Sequence, residues 1–219
     1  MIVERIISIG IGYICGLFLS GFLYGKSRHV DVRESGSGNV GTTNTLRTLG
    51  WKAGAVTLAG DIGKVFAAVF LVWLLFHKSQ PEMVRLLEMY AGFGAILGHD
   101  FPFYMKFKGG KGIASTGGLV LAFCPFAAPI SLGLFILAAL VTRYVSLGSV
   151  LGLISMFIQV LVFGKFGMFA VPEDNLIEVY IVFGIIALIG LVKHRSNIKR
   201  LLNGTENKIG SKKKENEGA

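Results

Sequence analysis

The sequence predicts an all-α integral membrane protein of about seven crossings, and three observations carry that prediction. Hydrophobic residues make up 53% of the 219 residues and charged ones only 16%, a balance that cannot dress a water-soluble surface. Two uncharged runs, Ile6 to Tyr24 and Val145 to Gly164, are each long enough at about 1.5 Å per residue to cross a hydrocarbon layer of roughly 30 Å. Lys and Arg are also unevenly shared. Seven crossings put segments 26–52, 99–112 and 143–149 and everything from 193 onward on one side with 17 of them, against four (Arg5, Lys78, Arg85, Lys165) on the other. That bias marks the first side as cytoplasmic and leaves the N-terminus external.

Ile6 to Tyr24 has no Lys/Arg-rich leader and no small-x-small cleavage site, so it is expected to be a retained first helix. Lys26 to Lys52 is a polar loop with five basic residues and much Gly, Ser, Thr and Asn. Ala53 to Phe76 reads as the second helix; Asp61 and Lys64, three positions apart on it, can face each other. Such a pair is tolerable near lipid only when shielded. Met83 to Gly98 is shorter and opens on Arg85 and Glu88, which fits a tilted or partly buried crossing.

Ile113 to Thr142 is uncharged but too long for one ordinary span, and Pro125 and Pro129 divide it into two shorter helices. Arg143 to Ser149 is a brief connector, the long run to Gly164 follows, and an acidic loop holds Glu173, Asp174 and Glu178. Val179 to Val192 is the last apolar run. The pairs Gly12/Gly16, Gly94/Gly98 and Gly148/Gly152 suit close helix packing. Residues 1–202 read as one polytopic membrane domain and 203–219 as a polar, solvated tail.

Several function classes drop out. Cys15 and Cys124 sit in apolar runs as small hydrophobes, which excludes a disulfide framework or zinc site. The four histidines are scattered without a carboxylate cluster, so no metal is expected. The net charge of +9 is accounted for by membrane topology rather than by nucleic acid. Gly36, Gly38 and Gly41 formally match a dinucleotide fingerprint, but no strand precedes them and no βαβ unit is possible here. A Walker-type pattern ending Gly25-Lys26-Ser27 fails because Ser20 stands at its first glycine. His29 and Glu34 match a His-x4-Asp acyltransferase motif only loosely.

The polar motifs point to phosphate instead. In Gly98-His99-Asp100-Phe101-Pro102-Phe103-Tyr104-Met105-Lys106-Phe107-Lys108-Gly109-Gly110-Lys111-Gly112, adjacent glycines admit close backbone approach to an anion and the lysines supply charge. Ile113 onward can begin a helix whose N-terminus favours a phosphate. The bland alternatives are a histidine capping the preceding helix and lysines snorkelling to the interface. In the first loop, Ser37-Gly38-Asn39-Val40-Gly41-Thr42-Thr43-Asn44 with Arg47 suits hydroxyl hydrogen bonding and bidentate phosphate binding. His194 and Asn197, three apart on one helical face, can project into one polar cavity. Lys199 and Arg200 serve equally as a basic juxtamembrane stop.

These segments, with the serine-bearing connector and Arg200-Leu201 and Gly204-Thr205-Glu206, in this order over nearly the whole chain, resemble the bacterial membrane acyl-phosphate:glycerol-3-phosphate acyltransferase family. Thr42-Thr43 stands where that family commonly has alanine-threonine. The resemblance implies seven transmembrane helices with motifs on the cytoplasmic side of the inner, cytoplasmic membrane, and no cofactor. It implies transfer of a fatty acyl group from acyl phosphate to the first (sn-1) hydroxyl of glycerol 3-phosphate, giving lysophosphatidic acid and inorganic phosphate. Carried over residue by residue, it implies Ser37, Arg47, Lys108, His194 and Asn197 as catalytic. Asn39, Thr43, Asn44, His99, Gly109, Gly110, Lys111, Gly112 and Ser146 are then substrate-binding, with the glycines cradling the donor phosphate and Ser149 an alternative to Ser146.

A mixed anhydride is already activated, so such an enzyme must chiefly position two anions against their repulsion and stabilise charge developing on carbonyl and leaving phosphate. No Ser-His-Asp arrangement or covalent nucleophile is visible in the sequence. The hydroxyl proton can go to substrate phosphate, with a second pKa of roughly 6, or to His99 or His194. Two other classes compete. A transporter of organic phosphates would need polar groups near the midplane, where only Asp61 and Lys64 qualify; a lipid-binding scaffold would need no turnover at all.

Overall fold

The computed structural model describes residues 1–209, all of whose regular structure is helical. The helices are α1 (Ile2–Gly16), α2 (Ser20–Ser27), α3 (Thr42–Leu49), α4 (Trp51–Phe76), α5 (Val84–Asp100), α6 (Ile113–Phe123), α7 (Ala128–Thr142), α8 (Val145–Lys165), α9 (Leu176–Lys193) and α10 (Arg195–Leu202). Most of the expected polar tail, residues 210–219, lies outside the described residues.

Seven helical units among the described residues correspond to the expected crossings. Five are long and apolar enough to span a membrane outright: Ile2–Ser27, Trp51–Phe76, Pro125–Thr142, Val145–Lys165 and Glu173–Lys193. The first of them is not one continuous rod, because the chain leaves helical geometry at Leu17–Leu19. The division of 113–142 falls at Cys124-Pro125, as the prolines require. The remaining two units, α5 with 17 residues and α6 with 11, would measure about 25 and 17 Å. α5 is short because protein, rather than lipid, surrounds it: 12 of its 17 residues are buried against α1, α4, α6 and α9. α7, in contrast, buries only Ala139 and packs mainly on α8.

Glycine sets the closest approach. Gly12 and Gly16 of α1 face Ala91 and Ala95 of α5, and Gly94 and Gly98 of α5 face the Ile9 and Tyr13 carbonyls. A methyl group at any of the four would collide with the opposite backbone, so the small-x-x-x-small spacing is used from both sides of one contact. Beyond it lies a core of Leu86, Leu87, Met89, Ile96, Leu119, Met156, Phe183 and Ile186. Phe123 joins Phe169 and Phe183, with ring centroids at 5.3 and 5.7 Å.

Polar groups mark the two ends of the bundle. At one end Arg5 grips Glu178 through two hydrogen bonds of 2.8 and 2.6 Å, and Tyr90 and Asn175 donate to the same carboxylate. At the other end converge α2, α3, the 101–112 loop, the start of α8, and α10, and with them every motif singled out in the sequence.

Candidate active site

The first motif is a loop folded around one side chain. Asn44, buried in the first turn of α3, accepts the Ser37 N–H at 2.7 Å and donates to the Val32 and Ser35 carbonyls at 2.9 and 3.1 Å. Its amide is therefore occupied in shaping the loop rather than free for substrate. Asn39 plays a smaller part of the same kind, accepting the Gly41 N–H at 2.9 Å where α3 begins. The loop so held presents Ser37 and Arg47 outward, both exposed, with Thr43 half-buried between.

The second motif departs from the expected cradle. The Gly109 and Gly110 N–H groups turn back onto the end of α5, donating to Asp100 O at 3.2 Å and His99 O at 3.0 Å. Of the four residues 109–112, only Lys111 and Gly112 have amides without a backbone partner among the described residues. The α6 N-terminus also meets an acid already: both Asp100 carboxylate oxygens lie about 3 Å from where a side chain at Gly112 would begin, buried and without hydrogen-bond partners among the described residues. The glycines serve close packing instead. The edge of the His99 imidazole lies where a methyl at Gly110 would stand, and His99 O and Pro102 crowd Gly109.

Lys108 and Lys111 part company. Lys108 is exposed and lines a cavity of ≈ 420 Å³ with Arg33, Gly38, Tyr104, Met105, Lys106 and Gly109. Lys111 turns the other way and donates to the side-chain oxygen of Asn197. Asn197 in turn donates to Glu206 at 3.2 and 3.3 Å, and Arg200 reaches the same carboxylate at 2.9 Å. Burial pushes Lys111 down to about 8, helped by the positive charges of Arg200, Arg47 and Lys193 and opposed by Glu206. Arg200, Arg47 and Lys193 thus lie within electrostatic range of the Lys111 ammonium.

His194 caps α9 and is buried. Its Nδ1 lies 2.8 Å from Gly190 O, which can only accept, so the ring proton sits on Nδ1 and Nε2 is the acceptor. Burial holds its pKa down to about 4, with Lys111 adding to the shift, and the ring is neutral at physiological pH. The connector expected over 143–149 is only Arg143–Tyr144, because the helix starts at Val145; both serines lie in the first two turns of α8, and their hydrogen bonds differ. Ser149 Oγ donates to Val145 O at 3.0 Å within its own helix, while the buried Ser146 Oγ has no partner among the described residues.

Arg33 and Lys193 lie outside the motifs, while Tyr104, Lys106, Arg200 and Glu206 lie within them with no site role assigned. Glu206 lies nine residues from Asn197, beyond any single-helix spacing, and only the turn after α10 brings the two together.

The geometry finds its counterpart in known proteins. The model of the family described as glycerol-3-phosphate acyltransferase matches residues 6–204. Among curated relatives, the glycerol-3-phosphate acyltransferase of Thermosipho melanesiensis is 40% identical over 205 residues, covering 94% of this chain and 92% of its own. That of Trichlorobacter lovleyi is 39% identical over 197 residues, covering 90% and 93%. Two crystal structures of PlsY (YgiH), an integral membrane glycerol 3-phosphate acyltransferase, are similar at 32% identity. Its glycerol 3-phosphate form has a TM-score of 0.80 and covers 94% of this chain and 96% of its own; its lysophosphatidic acid form has a TM-score of 0.78, with 94% and 95%. Five membrane-span candidates among the described residues, a polar end built from four ordered motifs and these likenesses lead to one conclusion: the chain belongs to the PlsY-type glycerol-3-phosphate acyltransferase family of integral, multi-pass membrane proteins.

Proposed function

We propose that this acyltransferase takes its acyl group from an acyl phosphate and delivers it to the sn-1 hydroxyl of glycerol 3-phosphate, at the cytoplasmic face of the cytoplasmic membrane. The products are lysophosphatidic acid and inorganic phosphate. The observation that carries this reading is a pair of positive surfaces: Arg47, Lys193 and Arg200 within electrostatic range of Lys111, and Lys108, Lys106 and Arg33 lining one cavity. Two phosphate-bearing reactants need two such positive surfaces side by side. The excess of Lys and Arg on this side supports the orientation.

In the reaction the glycerol hydroxyl oxygen bonds to the acyl carbonyl carbon, the carbonyl–phosphate oxygen bond breaks, and phosphate leaves with the hydroxyl proton. Lys108, Lys111 and Arg47 offset the charge that grows on the carbonyl and leaving phosphate oxygens. Ser37 and Ser146 supply hydroxyls to orient the substrates, and Asn197 fixes the Lys111 ammonium. His194, neutral and held down to about 4 by burial, is a weak proton acceptor. A phosphate dianion, with a second pKa of roughly 6, takes the proton more readily. His194 Nε2 then accepts from the other glycerol hydroxyl and so sets the direction in which the sn-1 oxygen attacks.

Purified protein in lipid, given glycerol 3-phosphate with palmitoyl phosphate or palmitoyl-CoA, tests the reading. Product from the acyl phosphate alone, abolished in Arg47→Ala, is expected. Product from the CoA ester would overturn the donor, and no product from folded protein would return weight to transport or to a scaffold.

A further inference from the structure

A charged cluster that the mechanism above does not use lies beneath the glycine loop, inside the bundle. Lys64 Nζ lies 3.0 Å from Asp61 Oδ1, 3.1 Å from Phe18 O in the break before α2, and 2.6 Å from His99 Nδ1. Ser20 Oγ donates to Asp61 at 3.3 Å. Asp61, Lys64 and His99 are 1%, 7% and 3% exposed. Ionised side chains at such depth are costly in a membrane protein and are retained where they serve a site.

The cluster has one outlet. A lysine ammonium only donates, so His99 Nδ1 accepts from it and the ring proton sits on Nε2. That edge of the ring faces Gly110, lying where any side chain at 110 would begin, and Nε2 has no hydrogen-bond partner among the described residues. The His99 carbonyl meanwhile holds the Gly110 N–H at 3.0 Å. Ring and backbone of one residue thus form the floor under the loop, and Lys64 fixes the rotation of that ring.

We propose that Asp61 and Lys64 are positioning residues of the acyltransferase: acting through His99, they set the height and shape of the 109–112 loop against a substrate phosphate. This rests on the reading that Lys111, carried by the loop, meets one of the two phosphates. Neither residue touches substrate. Their effect is on the precision of the loop, and displacement of a binding element by an ångström costs on the order of 100-fold in rate.

The test uses the whole protein in lipid, with KM and kcat measured for glycerol 3-phosphate and for palmitoyl phosphate. The double variant Asp61→Asn/Lys64→Met removes both charges, so that no ion is left buried alone. It is expected to fold, to raise KM for one phosphate substrate on the order of tenfold or more with a smaller change in kcat, and to leave KM for the other nearly unchanged. Gly110→Ala, which pushes on the same imidazole, is expected to show the same pattern. Combined with the double variant it should cost less than the product of the two effects, because both act through His99. Folded double variant with wild-type kinetics, or effects that multiply independently, would overturn the proposal. A double variant that will not fold, together with Asp61→Asn of wild-type kinetics, would assign the cluster to stability alone and overturn it too. Unchanged kinetics in Gly110→Ala would instead remove the loop reading itself, and the proposal with it.

Discussion

Lys111 and Asn197 meet side chain to side chain across 86 positions of sequence, and that hydrogen bond closes the glycine loop onto α10. It joins a cation that needs an oxygen to an amide whose nitrogen is already engaged by Glu206. Asn197→Ala would leave a half-buried ammonium and a buried carboxylate without their shared partner. The expected result is a fall of about 100-fold in kcat/KM with the protein still folded, read from acyl transfer alongside thermal unfolding in detergent. Wild-type kinetics would show that Lys111 needs no such tether.

The depressed Lys111 gives the enzyme an alkaline limit. Its ammonium, titrating at about 8 rather than the usual 10.5, is lost as pH rises through that value. kcat/KM should therefore fall above pH 8, toward roughly tenfold per unit. Lys111→Arg, lower at its plateau because a planar guanidinium replaces a point charge, should stay flat across the same range. An alkaline limb at the same pH in the variant would assign it to another group.

His194 makes a different pH prediction, on stability. Its folded pKa of about 4 lies below the ordinary 6.5, so between those values the unfolded chain binds a proton that the folded chain does not. This contribution to stability is therefore lost as pH falls from 6.5 toward 4. Thermal unfolding at pH 7 and pH 5 should show a smaller drop for His194→Gln than for the parent protein. In activity, His194→Ala should raise KM for glycerol 3-phosphate with little change in kcat; a collapse of kcat alone would make the ring the base.

Ser146 and Ser149 can be separated by a single methyl pair. Ser146→Ala removes an unpartnered buried hydroxyl and should cost no stability, yet lower kcat/KM by about tenfold if substrate is its partner. Ser149→Ala removes only a bond to its own helix and should stay within about twofold of the parent. The reverse ranking would move the connector's contribution to Ser149.

Gly94→Ala places a methyl against the Ile9 carbonyl of α1, where neither backbone can retreat without moving a helix. It should destabilise the fold by about 1–3 kcal/mol. KM of the surviving enzyme should change less than stability does, since the methyl points at α1 and the site lies nearly two turns further along α5.

The number and order of the hydrophobic segments were legible because each is written in a continuous stretch of sequence, as with the two helices from 113–142 and the short enclosed Met83–Gly98. The polar loop expected at 26–52 instead holds α3, whose eight residues are too few and too polar to stand out as a helix. The break at Leu17–Leu19 was not legible, since no proline marks it and its freed carbonyls are answered from afar, by Lys64 and by Tyr104. In the site, motifs named the parts but not their tasks. Asn44 is a polar residue in a phosphate-like motif, and only the folded loop reveals that its amide is spent on Ser37, Val32 and Ser35. Gly109 and Gly110 carry the right residue type, but the direction of their N–H groups depends on the end of α5, which sequence spacing does not encode.

The contrast between α5 and α7 also bears on how freely this sequence can drift. α7, with one buried residue, asks of most of its positions only that they be oily, so random apolar replacement there should be widely tolerated in a growth selection. α5 is enclosed on all sides and carries Gly94 and Gly98, the alanines that face the glycines of α1, and His99 and Asp100 on its last turn, so few of its positions have an acceptable substitute. The least hydrophobic of the crossings is thereby the one with the least latitude to mutate.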